Sequence, residues 1–244
     1  MDMRQRFNNF VQEKANGICD GLGDVLTTEV SAKGAGMLAL GAALTFGAPN
    51  YASAEMPEKP AHGMIEVLAG QKTGTLDAKF AIPVAPRTSV FTRHRITSDY
   101  DGKVGSFHVA SLSYNLVDGL DVVAEVDAIP GIGLDPRLGV QYFKKLGDVT
   151  MFELLTHSAK GEGLNLTSLT NIGYCPKLSG DLSLVLGVEN VSNFNDNGHN
   201  ASTQRLRAGV GYKGLQGGIA ADLTEVGKDP KFGYNAGGFV RKTF

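Results

Sequence analysis

The chain has 244 residues, a formal net charge of −2 and 20 % charged residues, a balance that gives no nucleic-acid surface and no polyacidic tail. It carries 32 glycines and no Trp, the composition of a folded, turn-rich chain rather than a disordered one. The two cysteines, Cys19 and Cys175, fit no metal spacing and no disulfide framework, and the length suits one large domain or two small ones.

In chain order, the first feature is residues 34–48, GAGMLALGAALTFGA, a run without charge. NYASA follows, with Ala52 and Ala54 at the small-residue positions of a cleavage site. This is the pattern of a secretory signal cut after Ala54, and the run is shorter than the ~20 residues a membrane-spanning helix needs. The segment before it is long and mixed in charge. Residues 1–54 therefore read as an export signal with an extended leader, with an uncleaved anchor or a buried Gly/Ala helix as alternatives. Residues 55–244 remain as the folded domain.

From His62 onward no helical stripe is present. Apolar residues recur at every second position in blocks of about ten, separated by turn residues. TLDAKFAI sets Leu76, Ala78, Phe80 and Ile82 opposite Asp77 and Lys79. LDVVAEVDA sets Leu120, Val122, Ala124, Val126 and Ala128 opposite Asp121, Glu125 and Asp127. PRLGVQYF sets Leu138, Val140 and Tyr142 opposite Arg137 and Gln141. DLSLVLGVE sets Leu182, Leu184, Leu186 and Val188 opposite Glu189. TQRLRAGVGY sets Leu206, Ala208, Val210 and Tyr212 opposite Arg205 and Arg207, and LQGGIAADL sets Leu215, Ile219, Ala221 and Leu223 opposite Asp222. The breaks carry Asp-Gly, Asn-Gly and Lys-Gly turn chemistry.

Twelve strands are predicted, with any even number from ten to fourteen acceptable: about 64–71, 74–83, 88–98, 104–116, 119–128, 136–144, 148–157, 163–174, 180–191, 202–213, 215–225 and 233–244. EVLAGQ is the weakest of them, and FHVASLSYNL changes face midway, the mark of a bulge or of a misdrawn strand boundary. Asn193 to Thr203 reads as the most loop-like segment, so tight turns are expected on one rim and longer loops on the other.

Consecutive strands with short links form an up-and-down meander, and closing it removes the exposed edges. With the apolar face inside, twelve strands would need bulkier contents than these Gly- and Ala-rich rows provide. With the apolar face outside, the charges line a wet lumen and avoid the ~2–4 kcal/mol that Arg or Lys costs on a lipid face at midplane. The expected fold is an all-β, antiparallel up-and-down transmembrane barrel. The chain ends GFVRKTF, with Tyr234, Ala236, Val240 and the terminal Phe244 on one parity and Lys242 interrupting the row. This last strand resembles the assembly signal of Gram-negative outer-membrane β-barrel (porin-like) proteins. The resemblance implies outer-membrane lipid as surroundings and the barrel assembly machinery as a partner, engaged through the strand ending at Phe244.

The expected lumen set is Asp77, Lys79, Arg93, Arg95, Asp121, Glu125, Asp127, Arg137, Glu153, Glu189, Arg205, Arg207 and Asp222. Acids crowd the 119–128 strand while arginines crowd others, which would set an acidic wall against a basic one. One function is a narrow passive channel for small polar solutes. Alternatives are a closed barrel acting through its loops, or a secreted soluble β protein that binds a ligand. His157 and Ser158 are adjacent, so they point to opposite faces of a strand and are wrongly spaced for a nucleophile couple. Asp196 and His199 offer too few ligands for a metal. The sequence names no enzyme activity and no cofactor.

Overall fold

A computed structural model describes residues 61–161, 163–227 and 230–244. The expected export signal and its leader lie outside the described residues. The described chain is all strand and turn: β1 (His62–Gly70), β2 (Thr73–Ala85), β3 (Thr88–Asp99), β4 (Val104–Val117), β5 (Leu120–Ile129), β6 (Gly133–Leu146), β7 (Val149–Ser158), β8 (Asn165–Tyr174), β9 (Lys177–Ser179), β10 (Leu182–Asn195), β11 (Gly198–Tyr212), β12 (Leu215–Val226) and β13 (Lys231–Thr243). Each long strand pairs antiparallel with its sequence neighbour, β8 pairs with β10, and β13 returns to β1. The result is a closed barrel of twelve strands, with the three-residue β9 appended to β10 at one rim.

The barrel is inverted relative to a soluble protein. On β5, Val123, Glu125 and Asp127 are buried, while Val122 and Val126 on the opposite parity are each 40 % exposed. The same division runs round the ring: Leu138, Leu186, Leu206, Val210, Ile219 and Val240 face outward and are exposed, whereas Asp77, Arg93, Arg137, Glu189 and Arg207 face inward and are buried. A ligand-binding soluble barrel or sandwich is excluded by this arrangement, because its apolar rows would have to meet a dry core. Outward-facing aromatics gather at the rim that holds both ends of the barrel: Phe80, Tyr114, Tyr142, Tyr174, Tyr212 and Phe244 lie toward the ends of β2, β4, β6, β8, β11 and β13 there. Such a girdle marks the boundary between hydrocarbon and water. Phe143 and Phe152 instead share the parity of inward-facing Gln141 and Thr156.

The seam is made by β13 and β1. Gly63 and Phe244 exchange both backbone hydrogen bonds, at 2.8 and 3.1 Å. The Phe244 ring covers Gly63 and meets Phe80 at a centroid distance of 5.9 Å. At Gly139, Gly209, Gly218 and Gly237 a Cβ would collide with a carbonyl oxygen of the adjacent strand. The wall coils tightly at these four positions, which is why they are glycine.

Two expectations are corrected, and the contrast between the rims is refined. Asn193–Thr203 is not a loop: β10 runs to Asn195, β11 begins at Gly198, and a two-residue turn joins them, with the register shifting between Asn193 and Phe194. The rims are unequal as expected, though modestly: at the rim that holds both ends of the barrel the links 86–87, 118–119, 147–148 and 213–214 are two residues each, while at the other rim they run from two to six. The polar residues of these segments look like loop in sequence because they face outward or inward on strands whose ends reach past the apolar belt. β4 does not change face midway. Phe107 and Val109 share the lumen face with Ser111 and Ser113, and His108 faces out; the register shifts only at the end, between Asn115 and Val117.

Candidate functional site: an ion-paired lumen

Four acids and six bases form one connected network inside the barrel. Glu189 on β10 accepts from Lys79 Nζ at 2.5 Å, from Arg93 Nη2 at 2.8 Å and from Arg205. Arg93 also holds Asp77 through Nε at 2.9 Å and Nη2 at 2.5 Å, a two-pronged contact between adjacent strands β2 and β3. Arg95 links Asp77, at 3.0 Å, to Asp222 on β12, at 2.8 Å. Arg207 links Asp222, at 2.7 Å, to Glu66 on β1, at 2.8 Å, and Arg241 on β13 closes on Glu66 at 2.5 Å. Arg207 and Arg241 also lie over the face of Phe239, 6.0 and 5.3 Å from its centroid.

The geometry of one contact sets the shape of the lumen. With β9 left aside, β3 and β10 stand six places apart round the twelve-strand ring, directly opposite each other. The Arg93–Glu189 ion pair therefore spans the full bore, and both side chains are buried. On one side of this strut the lumen is filled by Arg205, Arg207, Asp222, Glu66 and an apolar cluster of Leu68, Val185, Ala220 and Phe239. On the other side the wall of β4 to β7 is lined by smaller groups: Ser111, Ser113, Val123, Gly139, Thr156 and Ser158.

That second wall carries its own cluster. Arg137 donates to Asp135 at 2.7 Å, to Thr156 Oγ1 at 3.0 Å and to Thr167 Oγ1 at 2.8 Å, and stands 3.8 Å from Asp127. Thr156 donates to Glu125 at 3.4 Å, and Ser158 donates to Asp135. Asp127 Oδ1 is buried without a hydrogen-bond partner in the protein. Three carboxylates, Glu125, Asp127 and Asp135, thus face a single guanidinium. Nearer the rim, Asp121 accepts from Asn115 and Gln141, each at 2.7 Å.

All twelve of Asp77, Lys79, Arg93, Arg95, Asp121, Glu125, Asp127, Arg137, Glu189, Arg205, Arg207 and Asp222 are on the inward parity, and eight of them join the strut network. Glu153 is not in the lumen. It is paired in register with Tyr142 and Thr170 on the outer face and accepts a hydrogen bond from Thr170 at 2.7 Å. The arginine-rich strands also do not make an open basic wall, because Glu66, Asp77, Glu189 and Asp222 are interleaved with them. Glu66, Asp135, Asn235 and Arg241 are among the lumen groups that sequence reasoning missed. Arg241 was findable, since it alternates with outward Val240; Glu66 was not, since Met64 and Leu68 make its own face look apolar. Ser158 faces inward onto Asp135 and His157 faces outward, which separates that pair. Asp196 caps the β7–β8 link by accepting from the Leu164 amide at 2.7 Å, while His199 stands 4.0 Å from Glu225.

A closed antiparallel barrel with an apolar skin, an aromatic rim and a charged interior leaves one architecture. It is that of the outer-membrane β-barrel class. No family model matches the chain, and no curated protein does. Among solved structures the barrel is similar to the KdgM porin in complex with disordered oligogalacturonate, at 13 % identity over 75 % of this chain and 99 % of that one, with a TM-score of 0.45. It is also similar to the translocator domain of the autotransporter NalP from Neisseria meningitidis, at 11 % identity over 74 % and 86 % of the two chains and a TM-score of 0.34. A mutant of the Rh. blastica porin matches at 6 % identity over 75 % and 98 %, with a TM-score of 0.27.

Proposed function

We propose that this barrel resides in an outer membrane and forms a narrow, passive channel for small polar solutes, pinched at rest by the Arg93–Glu189 strut. The supporting observation is the asymmetry on either side of that strut. One half of the bore is filled by long charged side chains and the Leu68–Val185–Ala220–Phe239 cluster, while the other is lined by shorter groups: hydroxyls, a glycine and the Glu125–Asp127–Asp135 acids. A solute passing there meets short polar side chains on one flank and the guanidinium groups of the network on the other, so size and field both select. Lipid surrounds the apolar skin, and the barrel assembly machinery engages the strand that ends at Phe244.

A second reading is a closed barrel without transport, favoured by the strut itself, since an ion pair across the whole diameter leaves little free section. Planar-bilayer conductance of purified, folded protein decides between them. Lys79→Ala with Arg93→Ala removes both contacts that cross the bore to Glu189, yet leaves Asp77 with Arg95, and Glu189 with Arg205. The channel reading expects small unit steps from the native protein and larger ones from this double variant. Silence from both is the outcome of the closed barrel.

A further inference from the structure

The β4–β7 wall of the lumen carries more acid than its one arginine neutralises. Glu125 and Asp127 stand two positions apart on β5 and face inward together, both buried. Asp135 on β6 is the direct cross-strand partner of Asp127. Like charges so placed destabilise a sheet. Arg137 does not relieve all three. Its Nε donates to Thr156 Oγ1 at 3.0 Å, and its Nη1 to Asp135 at 2.7 Å and to Asn165 Oδ1 at 3.3 Å. Its Nη2 donates to Thr167 Oγ1 at 2.8 Å and to the backbone oxygens of Thr156 and Asn165, each at 3.1 Å. A guanidinium has five N–H donors, and these contacts engage every nitrogen. Asp127 is left 3.8 Å from Arg137 Nε, beyond hydrogen-bond reach. Its side chain is 9 % exposed, and its Oδ1 is buried with no hydrogen-bond partner in the protein. Glu125 takes one long bond from Thr156 Oγ1, at 3.4 Å. A buried carboxylate oxygen in this state costs free energy until a donor reaches it.

We infer that Glu125, Asp127 and Asp135 form a lumen subsite for the primary ammonium group of a small aliphatic solute. The inference names the class of solute, and it rests on the lumen being open to solutes as proposed above. An ammonium group has three donors and no acceptor, which matches three carboxylates on one patch. Cβ atoms of directly opposed strand residues are about 4.5–5.5 Å apart. Two oxygens each about 2.8 Å from one tetrahedral nitrogen are about 4.6 Å apart, so a single ammonium bridges the Asp127–Asp135 pair. Three carboxylates against one guanidinium leave an excess of negative charge, which the incoming group reduces. On the other side of Asp127 its cross-strand partner is Val109, and Phe107 is the next inward residue of β4. These two give an alkyl stem an apolar surface beside the charged end, which a bare alkali cation does not use. One strand beyond Val109, Arg93 is held by Asp77 and Glu189 and does not reach across to the acids. The subsite lies toward the rim away from the chain ends, with Asp127 two residues from the end of β5 and Asp135 two from the start of β6.

The test uses the full chain folded in detergent, with heat-modifiable gel mobility to establish folding, and n-butylammonium chloride as the probe. Titration calorimetry of the native protein is expected to show one n-butylammonium bound per barrel. Tetramethylammonium, a cation of the same charge without an N–H donor, is expected to bind at least tenfold more weakly. Asp127→Asn and Glu125→Gln keep the shape of the wall and each weaken n-butylammonium at least tenfold, whereas Asp121→Asn, on the same strand and face, leaves it unchanged. Native protein that binds both cations equally overturns the inference, whether or not the variants fold. So does native protein that binds neither, the outcome expected if a proton shared by Glu125 and Asp127 fills the empty oxygen. Unchanged affinity in folded Asp127→Asn overturns it as well. Planar-bilayer recording separates this inference from the channel reading. Current steps that n-butylammonium does not reduce overturn the subsite and leave the channel. A silent barrel that binds n-butylammonium through Asp127 keeps the subsite, in a lumen open at one mouth, and removes the channel.

Discussion

Glu189 accepts from Lys79, Arg93 and Arg205 at once, and its side chain is buried. An ion pair in such a place stabilises little relative to an apolar replacement of the whole set, but removing one member leaves its partners charged and desolvated, at about 3–5 kcal/mol. Glu189→Ala is therefore expected to lower the urea midpoint of the barrel in lipid vesicles by a shift equivalent to that amount, followed by tyrosine fluorescence. The comparison is Lys144, which meets exposed Asp118 at 2.7 Å on the rim. Solvent screens that pair, so Lys144→Ala is expected to leave the midpoint where it was. A midpoint unmoved by Glu189→Ala would mean that water reaches the network and relieves its desolvation.

At the scale of the strand, alternation made the barrel legible. Where one face is uniformly apolar and the other charged, as in LDVVAEVDA and TLDAKFAI, period two names both the strand and its inward side. The reading failed where the two faces resemble each other. β4 puts Phe107 and Val109 inward and Ser106 and His108 outward, so its apolar residues belong to the lumen at one end and to the skin at the other. β1 hides Glu66 between Met64 and Leu68. The β10–β11 hairpin runs through Asn, Ser and Gly because it rises past the apolar belt, and polarity there was read as loop. No sequence signal predicts the Arg93–Glu189 strut, since which strands stand opposite depends on the number in the ring. The last strand carries its own expected outcome. Phe244→Ala removes the ring that covers Gly63 and meets Phe80, and is expected to lower the temperature at which the folded gel band converts to the unfolded one. An unchanged conversion temperature would show that the backbone exchange between Gly63 and Phe244 closes the seam unaided.

For the molecule as a whole, the distinguishing property is which side of the wall tolerates charge. Ile219 on β12 faces outward and is 72 % exposed, the position at which a water-soluble protein accepts any polar residue. In a bilayer, Ile219→Arg is expected to cost up to ~2–4 kcal/mol of folding free energy, read by urea refolding into vesicles. An Ile219→Arg barrel as stable as the native one would place that strand outside lipid.

The stubby rims have a consequence of their own. A barrel whose twelve strands are joined by seven residues or fewer offers little slack backbone beyond its rims, and a protease needs a limber stretch to thread through its cleft. With the barrel in an outer membrane, as proposed, whole cells treated with trypsin should keep it uncut while longer-looped barrels are shaved away. Antibodies and phages that grip protruding loops will find little here to hold.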